Sequence, residues 1–237
     1  MSTNEALEFD QLCQDYMNAL YQGISGFVSY EPGEKEEGEQ KKVFLTYGEM
    51  LYPSVNSMIE CMEIDENDVI YDLGSGVGKV PLQYFLKTPV KKAVGIEFSE
   101  KRHSLAEQVF NQVRQEFPDL FAGGRELIAI NGNMLEQDIS DATIIYSCST
   151  CFSEELLSGM GEMADRCPNL KYIASNKPIP NRMPLAGLLD VDCSWDKTKW
   201  HMYSRDGKLM KDITRKEPAI SEMTEASGDS QQTSGTI

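Results

Sequence analysis

Residues 69–79 read VIYDLGSGVGK, a short apolar run that ends in an acid and continues into a glycine-rich turn. The run 69–71 is too short and too β-branched for a helix, and the Asp/Asn-rich segment 65–68 before it is typical of a turn. Pro81 suits the first turn of a following helix, where a backbone N–H has no intrahelical partner. The stretch therefore predicts a buried strand, a tight turn and a helix whose N-terminus faces a ligand.

Spacing separates the kinds of nucleotide site that use glycines in this way. A phosphate-binding P-loop needs glycine at position 73 and Ser or Thr at position 80, but the residues there are Leu73 and Val80. The dinucleotide fingerprint G-x-G-x-x-G would place its third glycine one residue later than Gly78. The P-loop is therefore excluded, and an NAD-dependent dehydrogenase stays as an alternative.

The pattern acid-x-G-x-G-x-G resembles motif I of the class I S-adenosylmethionine methyltransferases. Their ligand carries a cationic sulfonium and an ammonium group, which a carboxylate beside the glycines attracts. A second apolar strand ends in Glu97, 19 positions after Gly78, where a carboxylate can accept hydrogen bonds from both ribose hydroxyls. The residues of this pattern predicted to contact the cofactor are Asp72, Gly74, Gly76, Gly78 and Glu97.

Apolar runs alternate with helical patterns from residue 69 to residue 176, and Ser99 and Ser153 stand where each can cap a helix. Such alternation predicts a parallel sheet with helices on both faces. Two last strands, joined through residues 195–198, predict an antiparallel hairpin. We therefore predict an α/β, Rossmann-like class I methyltransferase fold, doubly wound and mostly parallel, with seven strands. The predicted strands are 69–71, 93–97, 127–130, 143–146, 171–174, 188–193 and 199–203.

Three segments of different composition divide the chain. Residues 1–42 combine an amphipathic helical pattern with a charged stretch at 31–42, which indicates a solvated linker or a mobile lid. Residues 43–205 hold the alternating pattern and are predicted to form the methyltransferase domain. Residues 206–237 are polar, and their end is rich in Ser, Thr, Gly and Gln, so we predict a disordered tail.

Composition excludes several classes of protein. The 237 residues, 41% of them apolar, suffice for one well-buried core. No apolar run is long enough for a membrane span and the first residues lack the features of a signal peptide, so we expect a soluble, intracellular protein, nuclear or cytoplasmic. A formal charge of −16 without a Lys/Arg-rich block argues against direct DNA binding and fits a basic protein partner. The six cysteines are expected to be reduced thiols.

The loop after the fourth predicted strand reads SCSTCF at residues 147–152. Cys148 and Cys151 form a C-x-x-C pattern before a predicted helix, a position that can lower a thiol pKa and support redox exchange. Zinc would need two further ligands, and His103 and His201 are the only histidines. We expect no metal and favour this loop as lining of a substrate channel, with redox chemistry as an alternative.

Several segments, in order, resemble the non-SET histone-lysine methyltransferases known as disruptor of telomeric silencing. The resemblance covers roughly residues 43–205 and implies methyl transfer from S-adenosyl-L-methionine to a lysine amine. The matching pieces are Tyr47-Gly48-Glu49, the turn 72–78 with Leu82-Gln83, the acid Glu97, the loop Gly132-Asn133, the post-strand segment ending in Phe152, residues 175–178 and Ser194-Trp195.

The resemblance also implies roles for the matching residues. Tyr47 and Glu49 are expected to close over the cofactor, and Asn133 to face the adenine amino group. Two overlapping sets of residues are expected to line the methyl-transfer channel. The candidate catalytic residues there are Cys148, Ser149, Phe152 and Trp195, and the candidate wall residues are Phe152, Trp195 and Tyr203.

Two positions depart from the family pattern. Cys148 stands where the family has an asparagine near the methyl-transfer channel, and Asn133 replaces an adenine-binding acid. We therefore keep two alternatives beside a histone-lysine methyltransferase: a methyltransferase that acts on another lysine-containing protein, and a scaffold protein that binds the cofactor without catalysis. Both methyltransferase hypotheses imply a basic protein substrate.

Overall fold

The computed structural model describes residues 2–27 and 48–211. Three predictions fall outside these ranges: Tyr47, the charged stretch at 31–42 and most of the polar tail. No helix in the described part of the chain has the length and hydropathy that a membrane crossing requires.

Seven strands form one sheet: β1 (Val69–Leu73), β2 (Lys92–Glu97), β3 (Glu126–Asn131), β4 (Ile144–Ser147), β5 (Tyr172–Ser175), β6 (Leu185–Asp192) and β7 (Lys197–Ser204). Their order across the sheet is β3-β2-β1-β4-β5-β7-β6. The first five strands pair in parallel, and β7 runs antiparallel to both β5 and β6. The predicted fold class and its antiparallel C-terminal hairpin are confirmed.

The strand with the least accurate prediction is β6, which begins at Leu185 rather than at residue 188. Its register against β7 shifts between Leu185 and Gly187. Such an irregularity disturbs the two-residue alternation from which strands are predicted, so the first part of β6 gives no clear pattern.

In the described part of the chain, five α-helices pack around the sheet: α1 (Thr3–Leu20), α2 (Tyr52–Ile59), α3 (Lys79–Lys87), α4 (Glu100–Glu116) and α5 (Glu154–Asp165). Short 3-10 helices span Pro118–Gly124 and Met134–Glu136. The predicted caps are confirmed, since Ser99 Oγ accepts a hydrogen bond from the Arg102 N–H and Ser153 Oγ accepts one from the Leu156 N–H. Each cap satisfies an N–H that the helix itself leaves without a partner.

The core has two halves, one on each face of the sheet. Helices α1 to α4 bury their apolar side chains against one face, and α5 buries its own against the other. Strand β1 contributes to both, since Ile70 points into the first half and Tyr71 into the second. Burying a side chain as large as isoleucine stabilises a fold by roughly 1.5–3 kcal/mol. The central strand is therefore held from both sides, which fixes the position of the turn that follows it.

The amphipathic pattern near the N-terminus forms helix α1, which packs on α3. Asp10 on α1 forms an ion pair with Lys87 at the end of α3. The Tyr52 hydroxyl donates to the Asp10 carboxylate at 2.9 Å, and the Tyr21 hydroxyl donates to the Val77 carbonyl at 3.1 Å. The last contact joins the end of the N-terminal helix to the glycine-rich turn.

Substitution of Gly161 by alanine should destabilise the fold sharply. A Cβ at this position in α5 would lie 1.6 Å from the Pro180 carbonyl oxygen, and a backbone group cannot move away easily. Overpacking of this kind costs roughly 1–3 kcal/mol, against a gain of about 0.5–1 kcal/mol from replacing a mid-helix glycine. We expect a net loss in the free energy of unfolding, measured by urea denaturation.

Gly159→Ala is the matched control, because it lies in the same helix. A Cβ there meets the Leu135 methyl carbons at 2.9 Å, and the end of a leucine side chain can shift. This variant should be as stable as the wild type or more stable. Equal stability of the two variants would contradict the close approach of α5 to the segment around Pro180.

Candidate active site

A cavity of about 390 Å³ opens at the carboxyl ends of β1, β2 and β4. Strand β1 lies between β2 and β4, so the chain direction of the crossovers reverses here, and open α/β sheets bind their ligands at such a point. The wall residues come from six segments of the chain. They include Gly48, Glu49, Asp72, Gly74, Gly76, Lys79, Glu97, Phe98, Arg102, Met134, Cys148, Thr150, Cys151, Phe152 and Trp195.

The glycine-rich turn lets the backbone form part of this wall. Gly74 and Gly76 have φ angles of 87° and 56°, a region that side chains disfavour. A Cβ at Gly74 would lie 3.0 Å from the Phe152 ring. The turn therefore leaves no room for a side chain between the end of β1 and the loop after β4.

Asp72 is a buried carboxyl group on the cavity wall, 2% exposed. Its Oδ1 atom has no hydrogen-bond partner among the described residues. Burial and the nearby Glu97 carboxylate raise the pKa of Asp72 well above its ordinary value. A buried carboxylate without a partner is costly, so this position favours a ligand that brings positive charge or hydrogen-bond donors.

Glu97 joins three parts of the site. Its Oε2 accepts a hydrogen bond from the Gly76 N–H at 2.8 Å, and its Oε1 accepts one from the Ser99 N–H at 2.9 Å. Arg102 Nη1 lies 3.9 Å from the same carboxylate, and Arg102 Nε donates to the Gly26 carbonyl at 2.9 Å. The carboxylate thereby fixes the glycine turn against the start of α4 and keeps further lone pairs for a ligand.

Arg102 and Lys79 line the cavity but were not predicted as site residues. Arg102 lies in the first turn of α4, five positions after Glu97, and this spacing is a signal in the sequence for a basic residue near the strand-end acid. Lys79 does not belong to a P-loop, and its ammonium group pairs with Glu49. The pairing depends on a contact across 30 positions, which local sequence patterns do not encode.

Residues 48–50 and the β6–β7 turn form another side of the cavity. Glu49 N–H donates to Ser194 Oγ at 3.0 Å, and Ser194 N–H donates to the Glu49 carbonyl at 2.8 Å. A Cβ at Gly48 would lie 2.4 Å from the Trp195 ring, so the indole packs directly on this glycine. Two segments that are far apart in the sequence therefore meet, and Glu49 and Trp195 both lie on the cavity wall, as does Phe152.

The loop after β4 carries a neutral thiol, which contradicts the redox alternative. Burial raises the pKa of Cys148 to about 12, the opposite of the lowered pKa that redox exchange requires. The helix that follows begins at Glu154, beyond Cys151, with its cap at Ser153. No group of three or more His, Cys, Asp or Glu within the described ranges is arranged to hold a metal ion.

Four residues predicted for the site lie away from the cavity wall. Gly78 begins α3 with a φ of 83°, and a Cβ there would lie 2.7 Å from the Phe110 ring, so it serves packing against α4. Asn133 caps the short helix after β3, since its Oδ1 accepts from the Leu135 N–H at 3.1 Å. Because capping and helix packing also favour Asn and Gly, the residue type alone could not distinguish them from ligand contacts.

Ser149 and Tyr203 are the other two. Ser149 is fully buried, and its hydroxyl lies 2.8 Å from the Ser175 hydroxyl. Tyr203 lies in the core half beneath α5, where its hydroxyl accepts from the Ile179 N–H at 3.2 Å. Residues in an irregular loop do not alternate as they do in a strand, so the sequence did not show that Ser149 points away from the cavity.

Residues 40–182 match the family described as "Histone methylation protein DOT1". A protein-lysine N-methyltransferase of Saccharolobus islandicus (strain REY15A) is 35% identical over 111 residues, 46% of this chain and 58% of that protein. The H3 lysine-79 specific histone-lysine N-methyltransferase of Drosophila melanogaster is 32% identical over 155 residues, 61% of this chain and 8% of that protein. The chain thus spans little more than half of one relative and a small part of the other.

A solved structure shows the same fold. The geranyl diphosphate C-methyltransferase of Streptomyces coelicolor A3(2), crystallised with Mg²⁺, geranyl-S-thiolodiphosphate and S-adenosyl-L-homocysteine, has a TM-score of 0.50. It is 12% identical over 83% of this chain and 98% of its own. At this identity the likeness concerns the arrangement of strands and helices alone.

Asp72→Asn should stabilise the unliganded protein at neutral pH. The pKa of Asp72 is raised in the folded state, so the folded protein keeps this proton to a higher pH than the unfolded chain does. Its contribution to stability is therefore complete below the unfolded pKa of about 3.9 and is lost as the pH rises toward the folded pKa. Asparagine does not titrate, so the stability gap between variant and wild type should widen from pH 5 to pH 8 in urea denaturation.

Asp138→Asn serves as the control, since Asp138 is exposed and lies outside the cavity wall. If the stability difference between Asp72→Asn and the wild type narrows as the pH rises, Asp72 is ionised in the unliganded fold and its charge is stabilised there.

Proposed function

The chain belongs to the DOT1 family of histone methylation proteins, and on this basis we propose that it is an S-adenosylmethionine-dependent protein-lysine N-methyltransferase. The observation that carries the proposal is the buried carboxyl group of Asp72 at the end of β1, beside Glu97 at the end of β2. Its Oδ1 has no hydrogen-bond partner within residues 2–27 and 48–211. Two acids around a glycine-rich turn suit a ligand with cationic groups and a ribose.

The residues of the cavity fit such a cofactor. Asp72 is placed to attract an ammonium or sulfonium group, because its carboxyl group is buried and no described residue bonds to its Oδ1. Glu97 keeps lone pairs for ribose hydroxyls, and Gly74 and Gly76 leave space where side chains would stand. When bound, S-adenosylmethionine supplies a methyl group on a positively charged sulfur. Arg102 near Glu97 and Lys79 with Glu49 hold the acids around it in place.

Part of the cavity wall suits a lysine side chain. Phe152, Trp195 and the neutral thiol of Cys148 form an apolar surface, and Phe152 lies close to the glycine turn, where a Cβ at Gly74 would be 3.0 Å from its ring. An apolar surrounding favours the neutral form of an amine, which is the form that has a lone pair for attack. Since no described side chain needs to gain or lose a proton for the attack, the main contribution of the protein is positioning.

A basic protein is the substrate that the charge of the chain favours. The formal charge of −16 attracts lysine-rich segments and repels DNA. The names of the two relatives, a protein-lysine N-methyltransferase and an H3 lysine-79 specific enzyme, point in the same direction. We therefore propose a histone or another basic, lysine-containing protein as the acceptor.

Calorimetry with S-adenosylhomocysteine tests the cofactor. We expect the wild type to bind S-adenosylhomocysteine and not NAD. Binding of NAD would favour the alternative of an NAD-dependent dehydrogenase. Asp72→Asn should weaken the affinity roughly 10- to 100-fold, because a hydrogen bond to a charged group contributes about 1.5–3 kcal/mol. Asp138→Asn should bind like the wild type. Heat from NAD together with none from S-adenosylhomocysteine would overturn the proposal.

Transfer of a radiolabelled methyl group tests the acceptor. Recombinant histones, nucleosomes and a mixed lysate should each be offered, with Gly76→Arg as the blank because Gly76 lies on the cavity wall with a positive φ. Phe152→Ala should lower turnover far more than cofactor affinity, and the rate should fall as salt rises. Label on a non-histone band alone would remove the histone assignment. Cofactor binding without any label would favour the scaffold.

A further inference from the structure

A chain of hydrogen bonds fixes one hydroxyl group on the cavity wall. Ser149 Oγ lies 2.8 Å from Ser175 Oγ and accepts from the Lys177 N–H at 3.2 Å. Ser149 also donates to Asn176 Oδ1 at 3.0 Å. Asn176 Nδ2 in turn donates to Thr150 Oγ1 at 2.5 Å. The chain therefore runs from the buried end of β5 to a hydroxyl in the loop after β4.

The donors in this chain all point the same way. Ser149 has a single proton and gives it to Asn176 Oδ1, so the Ser175 hydroxyl is the donor in their shared bond. With its oxygen engaged, Asn176 presents its N–H group to Thr150. The Thr150 oxygen thus accepts one hydrogen bond from the protein and keeps a second lone pair.

That lone pair belongs to a side chain that lines the cavity beside apolar residues. Thr150 lines the cavity together with Cys148, Cys151, Phe152 and Trp195, and it is exposed. Of these five side chains, Thr150 alone carries an oxygen. The Cys148 sulfur lies 3.9 Å from Thr150 Oγ1, and either group could be the donor in this long contact. A thiol is both a weak donor and a weak acceptor, so an amine N–H can replace it at the Thr150 oxygen.

We propose that Thr150 is a catalytic residue that accepts a hydrogen bond from the lysine amine, and that Asn176 is the positioning residue that orients its hydroxyl. The inference rests on the proposed function. The inference also bears on Cys148, which stands where the family pattern has an asparagine. In this chain the amide group is that of Asn176, after the neighbouring strand β5, and it acts through Thr150.

The proposed hydrogen bond strengthens as the methyl group is transferred. The lone pair of the neutral amine forms a bond to the methyl carbon, and the carbon–sulfur bond breaks with its electron pair left on sulfur. The nitrogen thereby gains positive charge and later releases a proton to water. An N–H···O bond to Thr150 is stronger for a charged donor, so it stabilises the transition state more than the bound amine.

Three variants of one side chain test the catalytic part. Thr150→Val removes the hydroxyl but keeps the branched shape, and should lower kcat on recombinant histones about 10- to 100-fold. Thr150→Ser keeps the hydroxyl and should stay within about threefold of the wild type. Thr150→Ala should match the valine variant, because shape is not what matters. The affinity for S-adenosylhomocysteine, measured by calorimetry, should be unchanged in all three.

Asn176→Ala tests the positioning part, with Asn181→Ala as its control. Asn181 is a turn asparagine whose contacts, to Ile179 and Met183, lie outside the cavity. Asn176→Ala should lower kcat about five- to tenfold and increase amide hydrogen exchange in residues 148–152 of the unliganded protein. The control should change neither quantity.

The outcomes distinguish failure of the Thr150 inference from failure of the proposed function. A wild type that transfers methyl groups while Thr150→Val matches it in kcat would overturn the inference and leave the proposed function standing. Equal losses in Thr150→Val and Thr150→Ser would also overturn it, because the hydroxyl would then be irrelevant. A wild type that binds the cofactor but labels no protein would overturn the proposed function and the inference together.

Discussion

The site depends on the carboxylate of Glu97, which joins parts of the chain that would otherwise move independently. It accepts hydrogen bonds from the glycine turn through Gly76 and from the start of α4 through Ser99. Arg102, close to the same carboxylate, holds the carbonyl of Gly26. These contacts are buried, where a hydrogen bond to a charged group is stronger than at the surface. The turn after β1 is therefore held from the neighbouring strand and helix, and its backbone is ready for a ligand.

The cavity wall combines two kinds of surface. Asp72 and Glu97 concentrate negative charge beside the glycine turn, and burial next to a second carboxylate raises the pKa of Asp72. Burial also keeps the Cys148 thiol neutral, and the aromatic rings of Phe152 and Trp195 line the same cavity. A cationic cofactor offsets the charge of the two acids, and the apolar surface suits a neutral amine. The proposed reaction moves positive charge from sulfur to the nitrogen that, in our proposal, Thr150 contacts.

Local signals in the sequence were sufficient to predict the order of strands and helices. The apolar runs, the serine caps and the acids at the ends of β1 and β2 are each encoded within about ten residues, so the order of strands and helices could be predicted. The acids reach one edge of the sheet because parallel strands all end on the same side. Where the local pattern was irregular, as at the register shift near Gly187, the strand boundary was predicted less well.

By itself, then, the sequence determined the α/β fold, the glycine turn and the two acids at its edges, because periodicity and turn chemistry are local properties. Only the tertiary structure decided which side chains of the irregular segments face the cavity. Thr150 lines the cavity, whereas the neighbouring Ser149 is buried against Ser175. Gly78 packs against α4, Asn133 caps a short helix, and Trp195 lies against Gly48. These outcomes depend on contacts between segments far apart in the chain, and loops lack the repeating geometry that would reveal side-chain direction in advance.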